Sequence, residues 1–344
     1  MNASPNPLQA DDFFYPFLTK HLKSPDFQVY QLAGDASNRR YYRVGLNNQS
    51  WVLMRWEPFE PKNYPFLSVL EHFAKHKVKV PQVIGMDASL GLMLLEDLGD
   101  LTLERKFWEG QNEDTYLSFY NQAVDEIVKI HFVASADKTD CTAFKIQFDT
   151  EKLLWEMNYG KDNLLAGVCK FNFSEKTEKE LSKAFTNICE RLHQEPKFIA
   201  HRDYHSRNLM IKFNEMRVID FQDARMGPIQ YDLVSLFRDS YVNMSDETAE
   251  KLIQYYLDQA KPYLGKNFSR EHFDKIYELQ SVQRCFKACG SFSSFYHQRQ
   301  DTRYLKYISH TLKRVIKSLA LFPEYKVFVD VLVDSGSLER KYEV

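Results

Sequence analysis

From residue 12 to 22 apolar positions recur at spacings of three and four, which predicts a short helix. The period then falls to two over residues 27–32 and 41–44, the alternation of strands. Between them Gly34-Asp35-Ala36-Ser37-Asn38-Arg39-Arg40 is small and polar, so the pair reads as a hairpin with a small-residue tip. Another strand follows over 51–56, then a helix over 65–77 and two more strands over 80–85 and 91–95. Past residue 100 the pattern is that of amphipathic helices, expected over 113–133, 150–165, 174–194, 230–241, 245–263, 270–296 and 302–321. One interruption, apolar residues at 209–213 and 216–219 around Asn214-Glu215, reads as a short hairpin set among the helices. The pattern predicts an α+β chain of two lobes: an antiparallel-sheet lobe over residues 1–98 and a mainly helical lobe over 99–344.

The hairpin among the helices is preceded by His201-Arg202-Asp203-Tyr204-His205-Ser206-Arg207-Asn208 and runs into Val218-Ile219-Asp220-Phe221-Gln222-Asp223. Phosphoryl transfer from a nucleotide needs a group to accept the proton of an attacking hydroxyl and oxygen ligands for magnesium. Asp203 suits the first task; Asn208 and Asp220 suit the second. A strand-turn-strand unit carries Asp220 back to Asp203, so the segment reads as a kinase catalytic loop and the chain as a protein-kinase-like two-lobed fold. Two other readings exist: a chance scatter of polar residues in a surface loop, and a metal pair of His201 and His205, against which Asp203 between them weighs.

The first lobe is read in that light. Backbone amides at the hairpin tip, with Ser37 and Asn38 as donors and Arg39 or Arg40 as charge, would approach nucleotide phosphates; a plain turn is the alternative. Arg55 stands on the third strand where a kinase carries its phosphate-gripping lysine. It would hold phosphate oxygens and pair with Glu71, or else face solvent. The strand ending in Glu96-Asp97-Leu98-Gly99-Asp100 reads as the crossing between lobes, where the backbone of Glu96 to Leu98 would hydrogen-bond an adenine ring. Asp232, in Gln230-Tyr231-Asp232-Leu233-Val234, either favours a helix N-terminus or hydrogen-bonds the catalytic loop to hold its shape, and the two roles are compatible.

Composition narrows the class without naming a chemistry. With 344 residues, 27% charged and 44% hydrophobic, the chain is an ordinary globular one. A net charge of −2 without long blocks of one sign points to neither nucleic acid nor an anionic membrane. No segment approaches the roughly 20 apolar residues that span a bilayer. The first residues lack the basic start and apolar run of a secretory signal. Five cysteines, Cys141, Cys169, Cys189, Cys285 and Cys289, form no Cys-x-x-Cys pair, so buried free thiols are expected and the cytoplasm is the expected compartment.

These motifs resemble the aminoglycoside phosphotransferase and choline kinase superfamily, whose signature is the loop from His201 to Asn208 with Ile219-Asp220-Phe221. A narrower set resembles the bacterial anomeric kinases of N-acetylmuramate and N-acetylglucosamine: Gly34-Asp35-Ala36-Ser37, the run from His201 to Met210, Ile219 to Ala224, then Gly227-Pro228 and Tyr231 to Leu236, with Gln283-Arg284, Lys287, Gly290 and Phe292 late in the chain. The resemblance implies ATP and Mg2+ as cofactors and a small amino sugar as acceptor, phosphorylated at its anomeric hydroxyl in cell-wall recycling. It carries Asp223, Arg207 and Arg284 as acceptor or supporting residues. Arg55-Trp56-Glu57 and Met157-Asn158-Tyr159-Gly160 depart from the pattern.

Charge gives an independent reading of the acceptor. A polycationic aminoglycoside needs an acidic surround, whereas this loop carries Arg202 and Arg207, with Arg225, Arg284 and Lys287 as further cations. They suit a neutral or carboxylate-bearing acceptor, or else bind phosphates or face solvent. Kinases of choline, homoserine or aminoglycosides, and a catalytically inactive binding module, are the alternatives. Asp203, Asn208 and Asp220 together speak against the inactive module. Oligomeric state is not written in the sequence.

Overall fold

A computed structural model describes residues 13–32 and 39–342. The first lobe is a five-stranded antiparallel sheet in the order β1-β2-β3-β5-β4, built from β1 (Gln28–Gln31), β2 (Arg40–Leu46), β3 (Gln49–Arg55), β4 (Val83–Asp87) and β5 (Leu92–Glu96). Its two faces follow from strand alternation. Val29, Val44, Leu53, Leu92 and Leu94 pack with Phe14, Phe17 and Leu18 beside α1 (Tyr15–Leu22). Met54, Met93 and Leu95 face the other way and join Phe66, Leu70 and Phe73 of α2 (Pro65–Lys75). That second cluster runs without a break into the helical lobe, so α2 belongs to the common core. Pro65 starts α2, where its missing N–H costs nothing, and Lys77 at φ +59° closes the turn beyond it, two residues after the helix ends.

The second lobe contains α3 (Leu103–Glu109), α4 (Asp114–Val128), α5 (Thr150–Gly160), α6 (Glu175–His193), β6 (Phe198–Ala200), β7 (Leu209–Lys212), β8 (Glu215–Val218), β9 (Arg225–Gly227), α7 (Ile229–Phe237), α8 (Asp246–Ala260), α9 (Arg270–Arg299), α10 (Ile308–Leu319) and α11 (Lys326–Asp334). Thr102, Asp149, Ser174, Ser245 and Ser269 each accept a first-turn backbone N–H, which fixes five of the starts. α4 and α5 continue as π-helical turns through Ala134 and Val168, so the predicted spans are right while their windings change midway. Helices α3 and α11 and strands β6 and β9 were not anticipated. Each of these strands has only three residues, too few to show a period.

The long α9 is the spine of this lobe. It crosses α5 at two glycines: a Cβ on Gly290 would lie 2.6 Å from the Gly160 Cα. This close approach brings Gln283 to within 2.9 Å of the buried Glu156 carboxylate, which also accepts from the Tyr231 hydroxyl at 3.1 Å. The β7–β8 turn sits one residue earlier than expected. Phe213 and Asn214 have φ of +50° and +62°, and Glu215 already pairs with Lys212 in the strand. All five thiols are free, and all but Cys169 are buried. Among the described residues no helix is long and apolar enough to cross a membrane.

Candidate active site

Strand β6 pairs antiparallel with β9 and the β7–β8 hairpin lies alongside, so residues 201–208 and 219–224 are held as two facing loops. Their shape is set from below by Asp232 in the first turn of α7. This fully buried carboxylate accepts the His201 N–H at 2.7 Å on one oxygen and the Arg202 N–H at 2.9 Å on the other. Arg202 is thereby held at φ +82°, a left-handed conformation that a non-glycine residue keeps only where its surroundings impose it. Asp220 is held likewise at φ +64°. His201, also buried, bonds through Nε2 to the Ile219 carbonyl at 2.9 Å and ties the two loops together. Asn208 donates from Nδ2 to the Asp203 carbonyl at 2.9 Å and to the Asp220 carboxylate at 3.2 Å. Asp203, Asn208 and Asp220 thus form one group, and Gln222, which sequence reasoning missed, donates to the other Asp220 oxygen at 2.8 Å.

Two cavities meet at this group. One, of about 260 Å³ between the lobes, is lined by Val52, Leu95, Leu98, Asn208, Met210 and Asp220. Its rim is fixed by Arg43 of β2, whose guanidinium bonds Asp97 at 2.7 Å and Asp100 at 2.9 Å across the crossing segment. No local pattern announces a pair 54 residues apart in sequence, and Arg43 went unremarked. Glu96 reaches Lys212 at 2.9 Å, a second tie between lobes, while Leu98 is buried against the cavity. The other cavity, of about 140 Å³, opens beside Asp203 and is lined by His205, Ser240, Tyr241, Arg284 and Lys287 among others.

Electrostatically, the Asp203 carboxylate in the wall of the second cavity, which Asp239 also lines, is ringed by cations. Lys287 and Arg202 stand 3.7 Å from the Asp203 carboxylate and Arg284 stands 4.0 Å away. Burial alone would raise the Asp203 carboxyl, but these three charges outweigh it and hold it well below the usual carboxylate range. Burial also draws the Lys287 ammonium below its ordinary value. Arg284, three residues earlier on α9, is buried and donates to the Ser235 hydroxyl at 3.0 Å, which removes the solvent-facing reading of this residue. The His205 imidazole is lowered by burial to about 4 and is neutral at pH 7.

The remaining predicted residues lie elsewhere. Asp223 pairs with Arg202 at 2.7 Å and so belongs to the loop's support. Arg207 is committed: Glu104 of α3 takes it bidentately at 2.8 Å, Tyr307 bonds it at 2.9 Å, and it stacks over Tyr241 at 3.7 Å. Arg55 is a correction. Alternation along β3 puts it on the side of Leu53, against α1, with its guanidinium 4.2 Å from the Phe13 ring, whereas Val52 and Met54 face the inter-lobe side. Among the described residues it makes no ion pair with Glu71, which is exposed. Arg39 stands beside Tyr41, which lines the inter-lobe cavity, and its charge opposes the upward push of burial on the Tyr41 and Tyr64 hydroxyls. Ser37 and Asn38 lie outside the described residues.

Against known proteins, the model of the phosphotransferase enzyme family matches residues 28–266. A curated N-acetylmuramate/N-acetylglucosamine kinase of Neisseria meningitidis is 30% identical over 90% of this chain and 92% of its own. The enzyme of the same name from Pseudomonas aeruginosa is 28% identical over 87% and 86%. Among solved structures, a choline kinase from Cryptosporidium parvum superposes with a TM-score of 0.59 at 14% identity, covering 94% of this chain and 97% of its own. An ADP-bound aminoglycoside phosphotransferase does so with 0.57 at 16%, covering 90% and 99%. Similarity at that level shows the fold alone, a two-lobed kinase-like one.

Proposed function

The chain belongs to the phosphotransferase enzyme family and is a phosphotransferase with an alcohol group as acceptor; on that premise we propose that it moves the γ-phosphoryl group of ATP to the anomeric hydroxyl of N-acetylmuramate and N-acetylglucosamine. The sugars are those in the names of its curated relatives. The observation that carries the choice is the cation set around Asp203, three groups within 4.0 Å of one carboxylate. A polycationic aminoglycoside or a choline would meet like charge there. A neutral sugar meets no penalty, and a lactyl carboxylate meets opposite charge.

ATP would enter the larger cavity, its adenine against the crossing at residues 96–98, where the lobes divide. Asp220 and Asn208 offer a carboxylate and an amide, hard oxygen donors of the kind magnesium takes; bound there, the ion neutralises phosphate charge. Asp203 faces the smaller cavity and orients the attacking hydroxyl, accepting its proton as the oxygen–phosphorus bond forms and the bond to the ADP oxygen breaks. Asp232 and Asp223 hold the loop. The product is a sugar 1-phosphate, without a reducing end. We place the reaction in the cytoplasm, in the reuse of cell-wall sugars. The test is ADP release with purified protein against N-acetylmuramate, N-acetylglucosamine, their alditols, choline, homoserine and kanamycin. The two sugars are expected to respond and their alditols to be inert. Turnover of choline or kanamycin with neither sugar would overturn the acceptor assignment.

A further inference from the structure

At the C-terminal end of α2, two imidazoles one helical turn apart meet a carboxylate from the segment that follows α4. The donor atoms of His72, His76 and Asp137 all lie within 4.8 Å of one another. We propose that these three residues form a site for a divalent transition cation of the zinc class, joining α2 to the helical lobe. Two imidazoles and one carboxylate make a donor set that favours such an ion over magnesium or calcium, which take all-oxygen sites.

The outer contacts are those that orient metal ligands. His72 donates from Nε2 to the Ala134 carbonyl at 2.9 Å, which leaves Nδ1 as its lone-pair nitrogen. Asp137 accepts the Thr139 N–H at 3.1 Å on Oδ1, fixing the carboxylate plane, and its Oδ2 lies 2.9 Å from His76 Nε2. Lys75 also reaches Oδ2, at 2.6 Å, but its side chain is 56% exposed and free to swing into water when a cation takes its place. Bonds of about 2.0–2.1 Å place tetrahedral donors roughly 3.3 Å apart, so small rotations of His76 and Asp137, 15% and 22% exposed, toward the buried His72 close the set. Water completes the fourth position, as Asp137 remains 22% exposed. Such a staple would act on more than stability. Phe73, beside His72, and Phe66 of the same helix pack on the Phe221 ring at centroid distances of 5.9 and 5.1 Å, and Phe221 follows Asp220.

The test is calorimetric titration of chelator-treated full-length protein with Zn2+ alone, repeated with Co2+ to read the visible absorption of a tetrahedral site. One equivalent is expected for the wild type and for Asp220→Asn, which lacks a magnesium-side oxygen. His76→Ala and Asp137→Asn should each weaken binding at least tenfold and abolish the Co2+ band, with unchanged circular dichroism. A wild type that takes up no Zn2+, or a His76→Ala protein that titrates like it, would overturn the site whatever the acceptor turns out to be.

Discussion

Asp232→Asn isolates how the catalytic loop is held, because the substitution keeps shape and removes one acceptor. In the wild type each carboxylate oxygen takes a backbone N–H, from His201 at 2.7 Å and from Arg202 at 2.9 Å, while His131 Nε2 lies 3.2 Å from the first of these oxygens. An asparagine has one carbonyl. If it serves His201, its NH2 faces the Arg202 N–H; turned over, it serves Arg202 and opposes His201. In either orientation a buried loop donor loses a charged partner and meets a like dipole. The loss of such a bond, with the buried donor left unpaired, is worth about 1–3 kcal/mol of stability. The loop then has less reason to keep Arg202 at φ +82°, a conformation that costs roughly 1–3 kcal/mol. Asp203 is the next residue. A shift of about 1 Å in a reacting group lowers turnover on the order of 10²-fold. Urea unfolding should therefore show the stability loss, and coupled ADP release should show a kcat reduced to that extent with little change in the KM for ATP. An Asp232→Asn enzyme with wild-type kcat would refute the assignment of loop shape to this carboxylate.

Four further outcomes are expected. Asp203→Asn and Asp220→Asn should both lose nearly all turnover, but only Asp220→Asn should weaken Mg-ATP binding in an equilibrium titration; equal loss in both would dissolve the division of labour. Arg39→Ala should raise the KM for ATP while Arg55→Ala leaves it at the wild-type value, since Arg55 stacks on Phe13 away from the cleft; the reverse order would restore the strand arginine. His205 is lowered to about 4 in the folded protein from an ordinary 6.5, so the unfolded chain takes up its proton first. Its stabilisation is complete above about pH 6.5 and is lost as pH falls to about 4, a contribution of at most about 3 kcal/mol, and His205→Gln should reduce the pH dependence of urea midpoints across that window, His310 keeping a share. Gly290→Ala should destabilise by roughly 1–3 kcal/mol or more, because the added methyl meets the Gly160 backbone at 2.6 Å with no side chain to yield; an unchanged melting temperature would show that α5 and α9 slide freely.

What the sequence made legible was local. Asp203, Asn208 and Asp220 sit within one loop and one hairpin, so their spacing alone implies that they meet, and Asn208 does lie within hydrogen-bonding distance of both neighbours. Arg284 and Lys287, three apart, share a face of α9 for the same reason. Arg55 failed because β3 is apolar on both faces, with Leu53 and Met54 each fully buried. Alternation says that neighbours point opposite ways, and only the placement of α1 and α2 says which way is the cleft. Asp232 was ambiguous because an aspartate in a first helical turn looks the same whether it serves its own helix or a loop 30 residues earlier. The β7–β8 turn moved because Phe213 takes a positive φ without any propensity for it, so that the register of the hairpin, set by Leu209↔Val218, decides the turn.

With Asp203 as the proposed base, its ring of cations bears on the mechanism. Lys287, Arg202 and Arg284 keep Asp203 ionised but make it a weak proton acceptor. Weak basicity would be a defect in a reaction led by deprotonation. It is none in a loose phosphoryl transfer, where the proton leaves the attacking oxygen late and most of the barrier is positioning and charge. On the proposed acceptor site the cations serve twice: all three hold the carboxylate in its ionised, hydrogen-bond-accepting form, and Arg284 and Lys287, which line the smaller cavity, would face the acceptor. The acid limb of kcat/KM should accordingly show no ionisation of Asp203 near the usual carboxylate range, and activity should fall on that side only as the fold itself loses stability. A large solvent deuterium isotope effect on kcat in the pH-independent region would show instead that proton abstraction limits the rate.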